Sequence, residues 1–402
     1  MTSKQSVAET LYPLLIAVAI GVLAGLGAVA FRMLINFEID LLWPDGDSFV
    51  ERYTNAHWAW RLTAPMLAGL IISPLIFRTA PEVRGPGVSE VIKALSLLDG
   101  IIRRRVTVLK SFATATFIAA GCSVGREGPI VHIGASIGSS VTQLLGLGPD
   151  KRKLAIACGA AAGIAATFQA PMTGTMFAVE ILLFDLEVAS LSNIVIASVT
   201  GTVVARTFGA NDSIFQIPFF TLSHPGELLL YVILGLITGL FSLLFMAYIF
   251  SLPKLFSRLR IPEWFAPAVA GLIVGGIGLF RPEALGIGYE SINEILGGQS
   301  VLGVVTLILI AKILATGLCV GSGMSGGVFA PSLFIGAMLG CVFGHLVSLI
   351  WPGMPLSPAH YGLIGMGAFV AGTTLAPITA ILTIFELTYN YEVVLPLMAA
   401  CI

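Results

Sequence analysis

Between Val106 and Leu147 the chain carries only three full charges: Lys110, and the adjacent pair Arg126 and Glu127. The pair sits in Gly125-Arg126-Glu127-Gly128-Pro129, a break of glycines and proline inside an otherwise apolar region. A charged side chain at membrane depth is costly, so it lines a pathway or a buried site. Proline suits the first turn of a helix, where its missing N–H is not needed. The flanking glycines let backbone amides come close to a ligand. A helix N-terminus attracts anions through its free amides and its dipole. The pentapeptide therefore predicts an anion site at a broken helix, with the Glu127 carboxylate competing for it. The plainer alternative is a loop in which Arg126 and Glu127 pair with each other.

Composition makes the surrounding region a membrane. Only 11% of the 402 residues are charged and 56% are hydrophobic, with a mean hydropathy of +0.96. A soluble domain of this size is far more charged. The 45 glycines and 21 prolines point to broken, closely packed helices in an all-α polytopic membrane protein. A net charge of -1 and no basic block argue against nucleic acid as a partner. Cys122, Cys158, Cys319, Cys341 and Cys401 lie in apolar segments and read as buried packers. His57, His224, His345 and His360 are too scattered for a metal site. No cofactor is expected.

In chain order, a polar lead over 1–10 precedes a long span, Leu11–Leu42, that Pro44-Asp45-Gly46 breaks. No cleavable signal is evident, because the first apolar run is long enough to span. A polar loop is expected to Arg61 and a second span over Leu62–Phe77. Arg78, Arg84 and Arg103-Arg104-Arg105 cluster beyond it, which places that side and the N-terminus in the cytoplasm; the plasma (inner) membrane is the expected location. Gly85-Pro86-Gly87-Val88-Ser89 reads as a loop feeding a short helix over Glu90–Leu98. Val106–Val124 and an apolar helix to Leu147 flank the pentapeptide, and Asp150-Lys151-Arg152-Lys153 reads as a turn. Further apolar segments cover Leu154–Phe168, Met172–Phe184, Leu191–Phe208, Leu228–Phe250, Trp264–Phe280, Val301–Val320, Val328–Ile350, Tyr361–Leu375 and Ile378–Leu387. Several fall short of the ~20 residues an upright span needs. Half-helices with irregular ends are tolerated in a membrane only where they are buried or line a cavity.

The chain also repeats itself. Ala170-Pro171-Met172-Thr173 with Glu180 matches Ala376-Pro377-Ile378-Thr379 with Glu386. Gly21, Gly25 and Phe31 match Gly235, Gly239 and Phe245. Pro129, Gly134, Ala135 and Gly138 match Pro331, Gly336, Ala337 and Gly340. Two halves of about 200 residues, 11–208 and 228–402, make one transmembrane domain over 1–402, as expected of an inverted-repeat transporter. Gly326-Gly327-Val328-Phe329-Ala330-Pro331 repeats the design of the pentapeptide. Three helix starts, after Gly85, Gly125 and Gly326, would make an anion site from dipoles and amides if they converge. Such a site binds weakly enough to let an ion leave.

These motifs resemble those of the CLC family of chloride channels and anion/proton antiporters. Gly85–Ser89, Gly125–Pro129 and Gly326–Pro331 match its three filter motifs in order and spacing. Ala160-Ala161-Ala162-Gly163 and Phe168-Gln169-Ala170-Pro171 resemble its next signature. The resemblance covers almost the whole chain. It implies broken helices meeting at the bilayer midplane and a homodimer with one pore per subunit. It implies that Glu127 is the gate. Amides around Arg126, Glu127 and Gly128 would line an outer site, with Val328 and Phe329 at a central site and Gly85, Pro86 and Gly87 on the inner loop.

Three departures matter. The family's usual filter serine is Pro86, which removes a hydroxyl and an N–H donor. In this family such a proline accompanies nitrate preference in plant members. The proton-relay glutamate of many antiporters falls on Ile181, which carries no proton; Glu180 is its neighbour and His132 is a second candidate relay. The residues here run to Ile402, short of the position where the resemblance puts the family's last helix and its pore-facing tyrosine, and no cytoplasmic regulatory domain is expected. The reading that results is a gated chloride, or small-anion, channel in contact with membrane lipid. A proton-coupled chloride or nitrate antiporter is the alternative. An intramembrane enzyme using Glu127 and His132 lacks a nucleophile or metal constellation. Gly321, Gly323 and Gly326 spell a dinucleotide fingerprint with no strand before it.

Overall fold

The computed structural model describes residues 3–183, 188–209, 215, 220, 224, 226–298, 301–351 and 357–402. Among them the regular elements are helices: α1 (Ser3–Leu42), α2 (Phe49–Asn55), α3 (Trp58–Thr79), α4 (Val88–Leu97), α5 (Arg105–Ala119), α6 (Glu127–Leu144), α7 (Pro149–Phe168), α8 (Pro171–Phe177) and α9 (Val188–Thr207). The second half holds α10 (Glu227–Arg258), α11 (Ala266–Phe280), α12 (Tyr289–Leu296), α13 (Leu302–Gly321), α14 (Phe329–Ile350), α15 (Pro358–Thr374), α16 (Pro377–Thr388) and α17 (Val394–Cys401). The order repeats: α1 answers to α10, α3 to α11, and each of α4–α9 to the matching member of α12–α17. Even the short turns agree, since Pro81–Val83 precedes α4 and Pro282–Ala284 precedes α12. This all-α polytopic architecture is the one expected.

Among the described residues, five helices are long and apolar enough to cross a membrane: Leu11–Leu42, Trp58–Thr79, Glu227–Arg258, Leu302–Gly321 and Phe329–Ile350. The others are shorter or less apolar. Prolines at the first position open α7, α8, α15 and α16, as the fixed φ of proline favours.

The structure departs from the sequence reading in four places. The polar stretch before Arg61 is not a plain loop. Ser48 accepts a hydrogen bond from the Glu51 amide (3.1 Å), and that cap starts α2. Asp150-Lys151-Arg152-Lys153 is not a turn but the start of α7, because Pro149 pre-sets the helical φ. The segment from Met172 changes pitch: α8 ends at Phe177 and a π-helical turn, Ala178–Leu183, carries Glu180 and Ile181. Its expected end, Phe184, lies outside the described residues, as does most of the polar connection before α10. Finally, α2, α12 and α17 are absent from the sequence reading. At eight residues or fewer they leave too little periodicity to read.

Contacts divide the chain into two compact units. The first contains Met1–Leu34, Gly87–Phe112 and Glu127–Asp212. Its centre is α7, packed by α6, α8 and α9 around small buried residues such as Ala157, Ala161, Ala162 and Ala197. The second contains Ile35–Pro86, Ala113–Arg126 and Ser213–Ile402. There α15 packs on α14 and α10, and α3 packs on α11.

Small residues set the helix spacing in each unit. Without a hydrophobic drive between helices in lipid, close backbone packing supplies association. A Cβ on Gly138 of α6 would lie 2.0 Å from the Ala155 carbonyl oxygen of α7. In the other unit a Cβ on Gly340 of α14 would lie 2.0 Å from the Tyr361 oxygen of α15. Alanine gains up to ~1 kcal/mol of helix propensity over glycine. Overpacking against backbone costs about 1–3 kcal/mol and wins here. Gly138→Ala and Gly340→Ala are therefore expected to lower the thermal unfolding midpoint in detergent. Gly239→Ala on α10, with nothing within 4 Å of the new methyl, is the control and should hold or raise it.

Candidate functional site

In the second unit the three glycine-rich motifs come together through their backbones. Gly125 N donates to Gly327 O at 2.7 Å, and Gly327 N donates to Gly125 O at 2.7 Å. Gly326 N donates to Gly85 O at 3.3 Å, so the first motif joins the same cluster. Gly326 has no room for a side chain: a Cβ would lie 2.4 Å from Val124 Cβ. Two hydroxyl pairs brace the loops. Thr114 and Ser325 share a hydrogen bond of 2.8 Å, and Ser123 and Thr316 share one of 2.9 Å. Each pair joins one half of the repeat to the other, and all four residues are buried.

The sequence-predicted residues of this unit sit around that cluster. Gly85 has φ +68°, a left-handed value that glycine adopts without strain, and Pro86 follows it, half-buried. Val328 stands just before α14 with helical backbone angles, and Phe329 is its first residue, 5% exposed. The first amides of a helix have no partner within it, and α14 is 22 residues long. Its dipole favours an anion at this end. Arg126 is half-buried, and its guanidinium carbon lies 5.5 Å from the ring centroid of Tyr289. Arg84 pairs with Glu263 at 3.0 Å and lies against Gly323.

The same unit buries Lys312 completely. Its Nζ donates to the Gly286 carbonyl at 2.9 Å and to Ile287 O at 3.4 Å, and lies 4.7 Å from the Phe334 ring centroid. Sequence reasoning missed this lysine. The signal was present: it is the repeat mate of Lys110, as Gly286-Ile287-Gly288 is of Gly85-Pro86-Gly87. The hydroxyl pairs were missed too, because Ser and Thr in apolar runs are ambiguous until their partners are seen.

In the first unit Glu127 opens α6 and is 1% exposed. Gly128 and Pro129 follow in the first turn. A carboxylate at a helix N-terminus is itself an anion there, so it and a free anion suit the same amides. Gly87 has φ +93° and stands just before α4. A Cβ on it would lie 3.2 Å from the Gly128 oxygen, 3.2 Å from His132 Cβ and 3.2 Å from Lys110 Cε. The structure thus gathers Gly87, Lys110, Gly128 and His132. His132 is 1% exposed, and its buried Nδ1 has no hydrogen-bond partner. Glu180 is half-buried in the π-helical turn, beside buried Ile181, and that turn packs on α4.

Chemically, glycine loops and helix starts of this kind offer an anion backbone amides and dipoles rather than a full positive charge. Such binding is weak and exchangeable.

A family model described as voltage gated chloride channel matches residues 68–402. A ClcB-like protein of Ralstonia nicotianae, named for a chloride channel, is 34% identical over 97% of this chain and 92% of its own. The H(+)/Cl(-) exchange transporter ClcA of Klebsiella pneumoniae is 32% identical over 97% of this chain and 84% of its own. Among solved structures, that of a slow cyanobacterial Cl-/H+ antiporter matches with a TM-score of 0.85 and 25% identity, covering 97% of this chain and 92% of that one.

The hydroxyl braces yield a test. Removing one member of a buried pair strands the other and costs about 1–3 kcal/mol, whereas removing both is nearer neutral. Thr114→Val and Ser325→Ala should each lower stability, and the double variant should lose less than their sum. A denaturation cycle in detergent measures the difference. Strict additivity would mean that the two hydroxyls do not brace each other.

Proposed function

This chain belongs to the CLC family, a family of anion-transporting integral membrane proteins, and we propose that it is a proton-coupled exchanger of chloride. Of the two readings the sequence leaves open, this is the alternative rather than the passive channel. The observation that carries it is Glu127, a buried carboxylate at the N-terminus of α6. A carboxylate there competes with the anion when charged and releases the amides when protonated, so one group links the two ions. Relatives named as H(+)/Cl(-) exchange transporters support the reading, at 31–32% identity along nearly the whole chain. The absence of a carboxylate at Ile181 is the feature that favours a channel, and it leaves the proton's path on the other side of the gate to other residues.

In this reading Glu127 is the gate. Amides at Arg126, Glu127 and Gly128 serve an outer anion position, and Val328 and Phe329 serve a deeper one. Gly85, Pro86 and Gly87 form the inner loop. Pro86 offers neither hydroxyl nor amide hydrogen, so nitrate competes with chloride more strongly than it would at a serine. The protein works as a homodimer with a pore in each subunit, surrounded by lipid. It lies in the inner membrane with its N-terminus in the cytoplasm.

The test uses purified protein in liposomes under a chloride gradient, with chloride efflux and external pH recorded together. The expected result is chloride efflux driving protons against their gradient. Chloride efflux with no proton movement would return the protein to the channel reading. Glu127→Ala is expected to keep anion flux and lose proton movement. Proton transport persisting in that variant would remove Glu127 from the gate. Pro86→Ser is expected to shift the nitrate-to-chloride flux ratio toward chloride, and an unchanged ratio would show that this loop does not set selectivity.

A further inference from the structure

Beside the inner loop the second unit contains a cavity of about 510 Å³. It lies between the end of α10, the link from α10 to α11 and the end of α13, with Arg84 on its wall. Three of its lining side chains carry a full charge: Arg84, Arg260 and Glu263. Two cations against one carboxylate suit an anion that comes to the loop from this side. Gly326 N donates to Gly85 O at 3.3 Å, so the residue after Arg84 is tied to the glycine cluster. Arg260, just past the end of α10, needs no special reason, since helix C-termini favour positive charge. Arg84 stands on another element, and that reason does not apply to it.

The repeat mate of Arg84 is Leu285, as Gly85 answers to Gly286. Leu285 is 1% exposed. A buried leucine thus fills the equivalent place in the other half, and the fold itself does not call for a charge there. Arg84 is held by three neighbours. Its Nη1 donates to Glu263 Oε2 at 3.0 Å. Its guanidinium carbon lies 5.5 Å from the Phe77 ring centroid. A Cβ on Gly323 would lie 3.0 Å from Nη2 and 3.2 Å from Nε, so the glycine leaves the guanidinium its room. The charged partner, Glu263, has a side chain 72% exposed, against 28% for Arg84. An ion pair so open to water is weak, and a dissolved anion competes with it.

We propose that Arg84 is an oxyanion-recognition residue beside the inner loop, and that it favours nitrate over chloride. The proposal rests on the reading of the chain as an anion transporter, and it adds a side-chain determinant to the one at Pro86. A guanidinium is planar and offers parallel N–H groups, which two oxygens of one planar anion accept together. Nitrate is such an anion. Chloride is a single atom and gives the fork one acceptor. The carboxylate of Glu263 is itself a planar oxyanion, so the group found on Arg84 is of the class the site takes. Nitrate replaces that carboxylate on Arg84, and Glu263 turns to water; only hydrogen bonds are exchanged. The site adjoins Gly85 and Pro86, so the anion it gathers is the one presented to the loop.

The test measures nitrate and chloride uptake by liposomes holding the full chain, Arg84→Lys or Glu263→Gln, over a range of anion concentrations. Arg84→Lys keeps the charge and loses the fork. It is expected to raise the ratio of half-saturating nitrate to half-saturating chloride by at least about threefold, because lysine binds as a point charge. Glu263→Gln removes the competing charge and is expected to lower half-saturating nitrate. An arginine that only fastened its link to Glu263 would give another result: both variants would depress both fluxes alike, with the ratio unchanged, and that overturns the proposal. A full chain that moves neither anion overturns the transport reading and the proposal with it. A full chain that moves both, with the ratio unaltered in Arg84→Lys, overturns the proposal alone. If Arg84→Lys does not fold, Glu263→Gln, at an exposed position, decides: half-saturating nitrate that is unchanged or raised there overturns the proposal.

Discussion

Two hydrogen bonds of 2.7 Å between Gly125 and Gly327 tie together the glycine loops of the second unit. Each closes a break between helices, and a break is the most dangerous thing a membrane protein can contain. A net hydrogen bond in water contributes ~1 kcal/mol, but an unsatisfied amide or carbonyl in hydrocarbon costs several. The two glycine loops solve this by satisfying each other. They are mates in the repeat, so the contact is its own mirror: the donor of one bond is the acceptor of the other. The same reciprocity appears one step out, where Thr114 meets Ser325 and Ser123 meets Thr316. Thr114 and Thr316 are mates, as are Ser123 and Ser325. The loop backbones are thus fixed by contacts between mates of the repeat.

Repetition also makes the exceptions legible. Gly138 and Gly340 are mates, and both are pressed against a carbonyl. Lys110 and Lys312 are mates, and both are buried. Where the halves agree, a need of packing or backbone satisfaction explains them. Where they differ, Glu127 stands in one half and Phe329 in the other. Natural sequences break local consistency at functional sites more than elsewhere.

Much of this was legible in the sequence. The pentapeptide at Gly125–Pro129 announced a helix start, and α6 begins at Glu127. The offset between Pro129 and Pro331 announced α14. Prolines and charges are discrete and read well. The π-helical turn at Ala178–Leu183 was not legible, since α- and π-helical pitch draw on the same apolar residues. The short α12 was not legible either: at eight residues it shows barely two turns of pattern. Lys312 escaped because the repeat was read from glycines and prolines, and a single lysine in the middle of a 20-residue apolar helix shows no partner in sequence. Only the carbonyls of Gly286 and Ile287 show that it points inward and caps a loop.

On the exchange reading, the design has one further consequence. A backbone filter discriminates between anions only weakly, because amides and dipoles suit any small negative charge. Glu127 belongs to that class of charge when ionised, which is why a side chain of the protein is admitted to a site built for a solute. Coupling then needs no large movement. It needs the carboxylate to gain its proton from one side and the anion to reach the amides from the other. The second requirement is met by helix ends, and the first by any chain of titratable groups that reaches α6. Nothing in that requirement singles out position 181. A carboxylate there is one way to bring a proton near the gate, and an isoleucine there moves the task to whichever neighbouring helix still carries side chains that exchange protons.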